Sequence, residues 1–287
     1  MFGTTLRKIR EDKNLKPKDA AHKIMSLSQL KRIEEEGQVP SIDKFISLLN
    51  RLNVEYDEFF QFSDDKYFNL RTVMRNQTTD TLRQRNPQKT QSLLDKLDRY
   101  YREYNDPHFL HLWSNASAIK ARHEHADPEK VKAFLKPVTD YLDSVDNWCY
   151  YEMVLFNNTF FYYDYDTAKA LGNEAIKNIQ KNYQDFRDEG ILRGLLGNLA
   201  FLAVEHKKWK DALGYIRLAL EISPSTKELY PQLLTKVVGQ VVCFHTDRNS
   251  FDPAEITAVI TYFRLMNMED VVGMLENFVK RHLPDGF

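Results

Sequence analysis

The chain has 287 residues, 43% hydrophobic and 28% charged with 10 Gly and 10 Pro, enough to bury a sizeable core in more than one helix-rich domain. No apolar run approaches the ~18–20 residues that cross a bilayer, and the N-terminus carries Arg7 without an apolar leader, which excludes a membrane span and points to the cytoplasm. The formal charge of −1 hides an asymmetry: residues 1–32 hold nine Lys or Arg against three Asp or Glu, a net +6 that leaves −7 on the other 255 and suits a nucleic-acid reader joined to a body that does not bind DNA.

Thr4 to Lys13 reads as a first helix with Leu6 and Ile9 inward, ended by Asn14-Leu15. Lys16-Pro17 opens a second, since proline is pre-set for the first helical position, and Ala20, Ala21 and Ile24 give it a small packing face. Ser26–Glu36 reads as a third helix that opens on a hydroxyl and closes before Gly37, with Leu27, Leu30 and Ile33 as its inner stripe. Ser26, Ser28, Gln29, Lys31 and Arg32 are left outward, the side-chain types that hydrogen-bond to base edges and phosphates in a major groove. Ser41 caps a fourth helix with the stripe Ile42, Phe45, Ile46, Leu49 and Leu52, and Tyr56–Phe60 makes a short fifth.

Five short helices in about 60 residues, with a helix–turn–helix at positions two and three, resemble the lambda-repressor-like (XRE-type) DNA-binding domain. The residues that carry the likeness are Leu15-x-x-x-x-Ala20-Ala21, Ser28-x-Leu30-x-Arg32-Ile33-Glu34-x-x-Gly37, Pro40-Ser41 and Leu49-x-x-Leu52-Asn53-Val54-x-x-Asp57-Glu58-Phe59. Ala20 departs from the pattern, which more often has leucine there, so looser packing of the second helix is expected. The resemblance implies that Ser26, Ser28, Gln29 and Arg32 face bases, that Lys16, Lys18 and Lys31 touch phosphates, and that Arg10 pairs with Glu34. A merely solvated charged face is the alternative; the pattern across five helices weighs against it.

Beyond residue 60 the sequence reads as helix after helix. Asp64–Asn76 and Thr79–Arg85 lead out of the first domain, and Asn86-Pro87 breaks the chain. Gln88–Tyr104, Asp106–His123 and Asp127–Leu142 follow, then the pairs Asn147–Tyr163 with Asp166–Tyr183, Glu189–Glu205 with Trp209–Ile222, and Thr226–His245 with Pro253–Leu265; Met268–Leu283 closes the chain. The expected domains are therefore 1–62, a linker helix over 63–86, and 87–287. WKDALGYIRLALEIS at 209–223 has the Ala/Leu spacing of a tetratricopeptide-like second helix, echoed at 166–176 with a period of 44 from Ala168 to Ala212. Stacked pairs of that kind make a right-handed helical-repeat solenoid whose concave side is lined by first helices and takes up peptides or helices. The fold class is all-α throughout.

Asn157, Asn158, Asn198 and Gln240 sit inside apolar runs of successive first helices. A carboxamide can satisfy both the N–H and the C=O of an extended peptide, or it can be satisfied within its own fold; the sequence leaves both open. Arg83, Arg85, Arg193 and Lys236 could meet a peptide carboxylate or be solvated surface charges. The two halves together resemble the Rgg-type regulators, within the wider RRNPP group of peptide-sensing transcription factors, chiefly through the recognition segment and the Tyr151-Glu152-x-x-Leu155-Phe156-Asn157-Asn158 helix. That resemblance implies a homodimer with domain-swapped DNA-binding heads, double-stranded operator DNA and a short re-imported signalling peptide as partners, and no enzymatic activity. Some members bridge the heads through a cysteine early in helix four; Ile42 and its neighbours offer none, so no such disulfide is expected.

Cys149 and Cys243 lie among apolar and aromatic neighbours and read as buried, reduced thiols. No Gly-rich phosphate loop, GxSxG, HExxH or CxxC motif occurs, and His108/His111 or His123/His125 have no third ligand placed beside them, so neither a cofactor nor a metal is expected. The rival reading is a helical-repeat scaffold whose helix–turn–helix module binds protein instead of DNA; the early basic excess argues against it.

Overall fold

The computed structural model describes residues 2–63, 66–182, 189–222 and 229–284, and over these it is all-helical, with sixteen α-helices and two short 3-10 turns. The expected helix starts at Asp64 and Thr226 and the end at Tyr183 lie outside the described residues. The chain divides into two compact units, Met1–Ala126 and Asp127–Phe287.

In the first unit, α1 (Phe2–Asp12), α2 (Pro17–Ala21), α3 (Leu27–Glu36), α4 (Ile42–Leu52) and α5 (Tyr56–Phe62) enclose one core built on Leu6, Leu30, Ile33, Leu48 and Phe59. Phe2, Phe45 and Phe59 close it, with ring centroids 4.8–5.1 Å apart. The first helix starts earlier than its sequence pattern indicates because Gly3 belongs to it. A β-carbon there would stand 1.7 Å from the Ile33 carbonyl oxygen, so a glycine is what lets α1 lie directly on the backbone of α3. Ala20 is fully buried between α2 and its neighbours α3 and α4, so the small side chain serves a close approach.

Three residues expected inside are outside: Leu27 is 43% exposed, Ile42 76% and Ile46 49%. At 100° per residue, Ile42 and Ile46 stand about 70° and 110° from the mean direction of the buried Phe45, Leu48, Leu49 and Leu52. Leu27, in the first turn of α3, stands about 70° from the mean direction of the buried Leu30, Ile33 and Glu34.

A second core in the first unit joins Met74 of α6 (Lys66–Arg83) to Leu93 and Leu97 of α7 (Pro87–Tyr104) and Phe109 of α8 (Pro107–His123). These shared contacts hold α7 and α8 with α6 in the unit that ends at residue 126. The segment read as two helices around Thr78-Thr79 is one, because the threonine hydroxyls donate to the carbonyls of Met74 and Arg75 four residues back and leave the ladder intact. The Asx-Pro breaks act as expected. Asn86, Asp106, Asp127 and Asp252 each accept a backbone N–H of the first turn that follows, with proline at its start.

The second unit runs α9 (Pro128–Ser144), α10 (Tyr150–Thr159), α11 (Tyr165–Asn182), α12 (Glu189–Glu205), α13 (Trp209–Glu221), α14 (Leu229–Thr246), α15 (Pro253–Leu265) and α16 (Glu269–His282). Helices α10, α12, α14 and α16 pack on one another in succession, and α11, α13 and α15 lie against that row. Helices α11 and α13 meet through long side chains, with Tyr165 Oη donating to Asp211 at 2.7 Å and Tyr215 Oη to Asn173 at 3.0 Å. The tightly packed row is thus the inner one of a two-row stack. Helix α10 ends sooner than the pattern suggests, in a 3-10 turn over Phe160–Tyr162.

The cysteine expectation is corrected. Both thiols are free, but Cys149 is exposed and Cys243 half-buried. Cys149 is the N-cap of α10, outside the first turn, where the apolar neighbours have not yet begun to face inward.

Candidate functional site

The third helix is placed by its two ends and its buried face. Ser26 Oγ accepts the N–H of Gln29 at 3.2 Å and lies 3.0 Å from Ser28 Oγ. Gly37 at φ 75° closes the helix in the left-handed conformation that costs glycine little. Leu30, Ile33 and Glu34 face the core. Glu34 takes Arg10 in a two-pronged pair, Nε to Oε1 and Nη2 to Oε2 both at 2.8 Å, while Arg10 Nη1 donates to the Leu15 carbonyl. Both side chains are buried, and the hydrogen bonds that Arg10 donates to Glu34 hold the guanidinium further in its charged form despite the cost of burial. The second helix is fixed to the fourth by Arg51, which donates to the carbonyls of Asp19 at 2.6 Å and His22 at 3.2 Å.

Outward, Ser28, Lys31 and Arg32 are exposed on α3, with Lys16 and Lys18 at the start of α2, and Gln29 is half-buried. Lys16, Lys18, Lys31 and Arg32 form no ion pair among the described residues, unlike Arg7, which is neutralised by Glu11 at 2.7 Å. Ser26 is exposed but spends its oxygen on the helix cap. Sequence reasoning missed Arg51, Gly3 and Lys44, whose Nζ donates to Gln29 Oε1 at 3.2 Å. Each acts across a sequence separation that periodicity does not register.

In the second unit the candidate groove residues fall into distinct groups. Asn198 Nδ2 on α12 donates to Asn157 Oδ1 on α10 at 2.9 Å, and both side chains are half-exposed on the inner row. The pair leaves Asn157 Nδ2 and Asn198 Oδ1, one donor and one acceptor, without a protein partner among the described residues. A β-carbon at Gly194 would make an ordinary contact, 3.4 Å, with Asn157 Nδ2. Beside them Phe161 meets Phe201, which stacks on Phe278 with centroids 4.7 Å apart. Asn158, one residue on from Asn157, points about 100° away and is exposed.

The other candidates are placed elsewhere. Gln240 is committed within its own fold, donating to Glu255 at 2.5 Å and accepting the N–H of Asp252 at 2.7 Å, and Lys236 pairs with the same Glu255. Burial raises the Glu255 carboxyl, but Lys236 and Gln240 outweigh that and hold it below the usual range. Arg193 is buried on the packed side of α12 and so is not a surface charge. Arg83, exposed at the end of α6, and Arg85 just beyond it belong to the first unit. His108 is a core residue, its Nε2 3.3 Å from the Arg71 carbonyl, and His111 is buried too; no group of three or more metal-ligating side chains occurs among the described residues.

These features define a helix–turn–helix DNA-binding head followed by a body of stacked helix pairs, the plan of a regulator of transcription. Residues 6–59 match the helix-turn-helix family, and residues 91–277 match the C-terminal domain of the HTH-type transcriptional regulator Rgg. The chain belongs to the Rgg family of transcriptional regulators, a family of regulators and not of enzymes. Its fold is shared with the SHP pheromone receptor Rgg2 of Streptococcus dysgalactiae, at TM-score 0.76 and 19% identity over 98% of this chain and 100% of that one. It is shared also with a Listeria monocytogenes EGD-e protein described as a transcriptional regulator (TM-score 0.74, 19% identity, 98% and 97% covered) and with PrgX in its complex with cCF10 (0.70, 18%, 97% and 98%). No helix among the described residues is long and apolar enough to cross a membrane.

Proposed function

We propose that this regulator binds operator DNA as a homodimer through α3 and that a short signalling peptide, bound as an extended chain along the inner row of the second unit, changes its DNA affinity or output. Ser28, Gln29 and Arg32 read bases in this proposal, Lys16, Lys18 and Lys31 contact phosphates, and Ser26 holds the helix start. The peptide meets Asn157 and Asn198, with Phe161 and Phe201 offering apolar contact.

The observation that carries the peptide half is the Asn157–Asn198 pair. Its remaining donor and acceptor are the kinds of group that the C=O and N–H of an extended peptide take up. Likeness to solved pheromone receptors agrees with it. Peptide that favours one arrangement of the dimer shifts the spacing of its two recognition helices by population.

The test uses the full chain and synthetic peptides from small hydrophobic open reading frames beside its gene. A binding peptide raises the melting temperature, because a ligand of the native state stabilises it. Asn198→Ala is expected to lose most of that rise, and the same peptide is expected to change operator occupancy. A rise undiminished in Asn198→Ala, or binding without any effect on DNA occupancy, contradicts the proposal.

A further inference from the structure

We propose that Lys44 sets the base preference of the DNA-reading helix, by converting Gln29 from an adenine reader into half of a guanine reader. The inference rests on the reading of α3 as the recognition helix.

Lys44 lies on α4 and Gln29 on the first turns of α3, and Lys44 Nζ stands 3.2 Å from Gln29 Oε1. An ammonium has donors only, so the carboxamide must turn its oxygen toward Lys44 and its Nε2 hydrogens away. An uncommitted glutamine offers adenine an acceptor for N6–H and a donor for N7 side by side. Here the acceptor is engaged by a cation. That oxygen keeps a second lone pair, but an adenine amino group reaching it would bring its partial positive charge beside the ammonium, whereas the O6 of guanine would meet that charge favourably. In this proposal the Nε2 hydrogens of Gln29 and the ammonium of Lys44 serve as two donors, the complement of the N7 and O6 acceptors of guanine. The ammonium itself is unpaired by any carboxylate: Lys44 forms no ion pair among the described residues, so its positive charge remains available to O6. The neighbouring exposed groups of the first turns are Ser26 and Ser28, hydroxyls that give and accept and do not override this preference.

The experiment is selection of bound duplexes from a random pool by the full-length wild type, Gln29→Ala, Lys44→Met and Lys44→Arg, with melting temperatures recorded to show that each variant is folded. The base position whose preference disappears in Gln29→Ala is the one Gln29 reads. Guanine over adenine by about tenfold is expected there for the wild type, conversion to adenine in Lys44→Met, and retention of guanine in Lys44→Arg, which keeps the donors. A purely structural role of Lys44 would lower the melting temperature without moving one base position. An unchanged preference in Lys44→Met, adenine already preferred by the wild type, or no position that depends on Gln29 overturns this inference while leaving sequence-specific binding in place. Failure of the wild type to enrich any sequence overturns the recognition-helix reading and this inference together.

Discussion

Arg10 and Glu34, twenty-four positions apart, close a two-pronged ion pair at 2.8 Å that ties α1 to the packed side of α3. Neither side chain can be lost alone without leaving a charge buried. Glu34→Gln or Arg10→Met is expected to destabilise the protein by about 3–5 kcal/mol, the usual cost of breaking such a pair from one side. Urea titration followed by circular dichroism measures it, and a cost below ~1 kcal/mol would mean that the pair is solvated in solution.

Gly3 makes a separate prediction about the same junction. A methyl group there collides with the Ile33 carbonyl, which is backbone and cannot swing aside. Gly3→Ala is therefore expected to lower stability by at least ~1–3 kcal/mol although alanine is the better helix former. Gly214 meets nothing within 4 Å where a β-carbon would be added, so Gly214→Ala is the control and is expected to be neutral or stabilising. Paired melting curves of the two variants decide the point.

The head was largely legible in sequence because its signals are local: Pro17 opening α2, Ser26 capping α3, Gly37 closing it. The packing of α11 and α13 against the inner row was legible in Ala168 and Ala212, both fully buried, because small residues recur where helices approach. What sequence did not disclose is directional or long-range. Ile42 and Ile46 look like core in a list of apolar positions and turn outward only when the helix is wound. Arg51, Lys44 and the Asn157–Asn198 pair depend on which helices become neighbours. Gln240 had the same apolar surroundings as Asn198 and is satisfied internally, because Glu255 of α15 happens to reach it.

His108 gives the first unit a pH dependence of definite sign. Burial lowers its basicity, and the Arg71 and Arg75 charges lower it further, against Asp106 and the Arg71 carbonyl, which raise it. A histidine whose folded pKa lies below its unfolded value of ~6.5 binds fewer protons when folded, so stability is full above that pH and is lost as pH falls through it. The loss from this one group is bounded by about 1.4 kcal/mol per pH unit. Comparison of wild type with His108→Gln between pH 8 and pH 5 isolates it: the wild type is expected to lose more stability on acidification, and equal losses would count against a buried neutral ring.

The phosphate contacts assigned to Lys16, Lys18 and Lys31 predict a salt dependence. Each neutralised phosphate contributes ~0.9 to the slope of log K against log salt. Lys18→Ala is expected to flatten that slope by about one unit per site contacted and to weaken all sequences alike. A change in base preference in place of a change in slope would reassign Lys18 to base reading.

The most direct test of the whole account is a binding titration of the selected duplex and a scrambled duplex with the full-length chain, wild type against Arg32→Ala. Arg32 is exposed, forms no ion pair among the described residues and stands on the outer side of α3, so its removal leaves the core untouched. The expected result is a melting temperature like the wild type's, a loss of about tenfold to a hundredfold in affinity for the selected duplex, and a much smaller loss for the scrambled one. Equal affinity of wild type and variant for the selected duplex would contradict recognition by this helix.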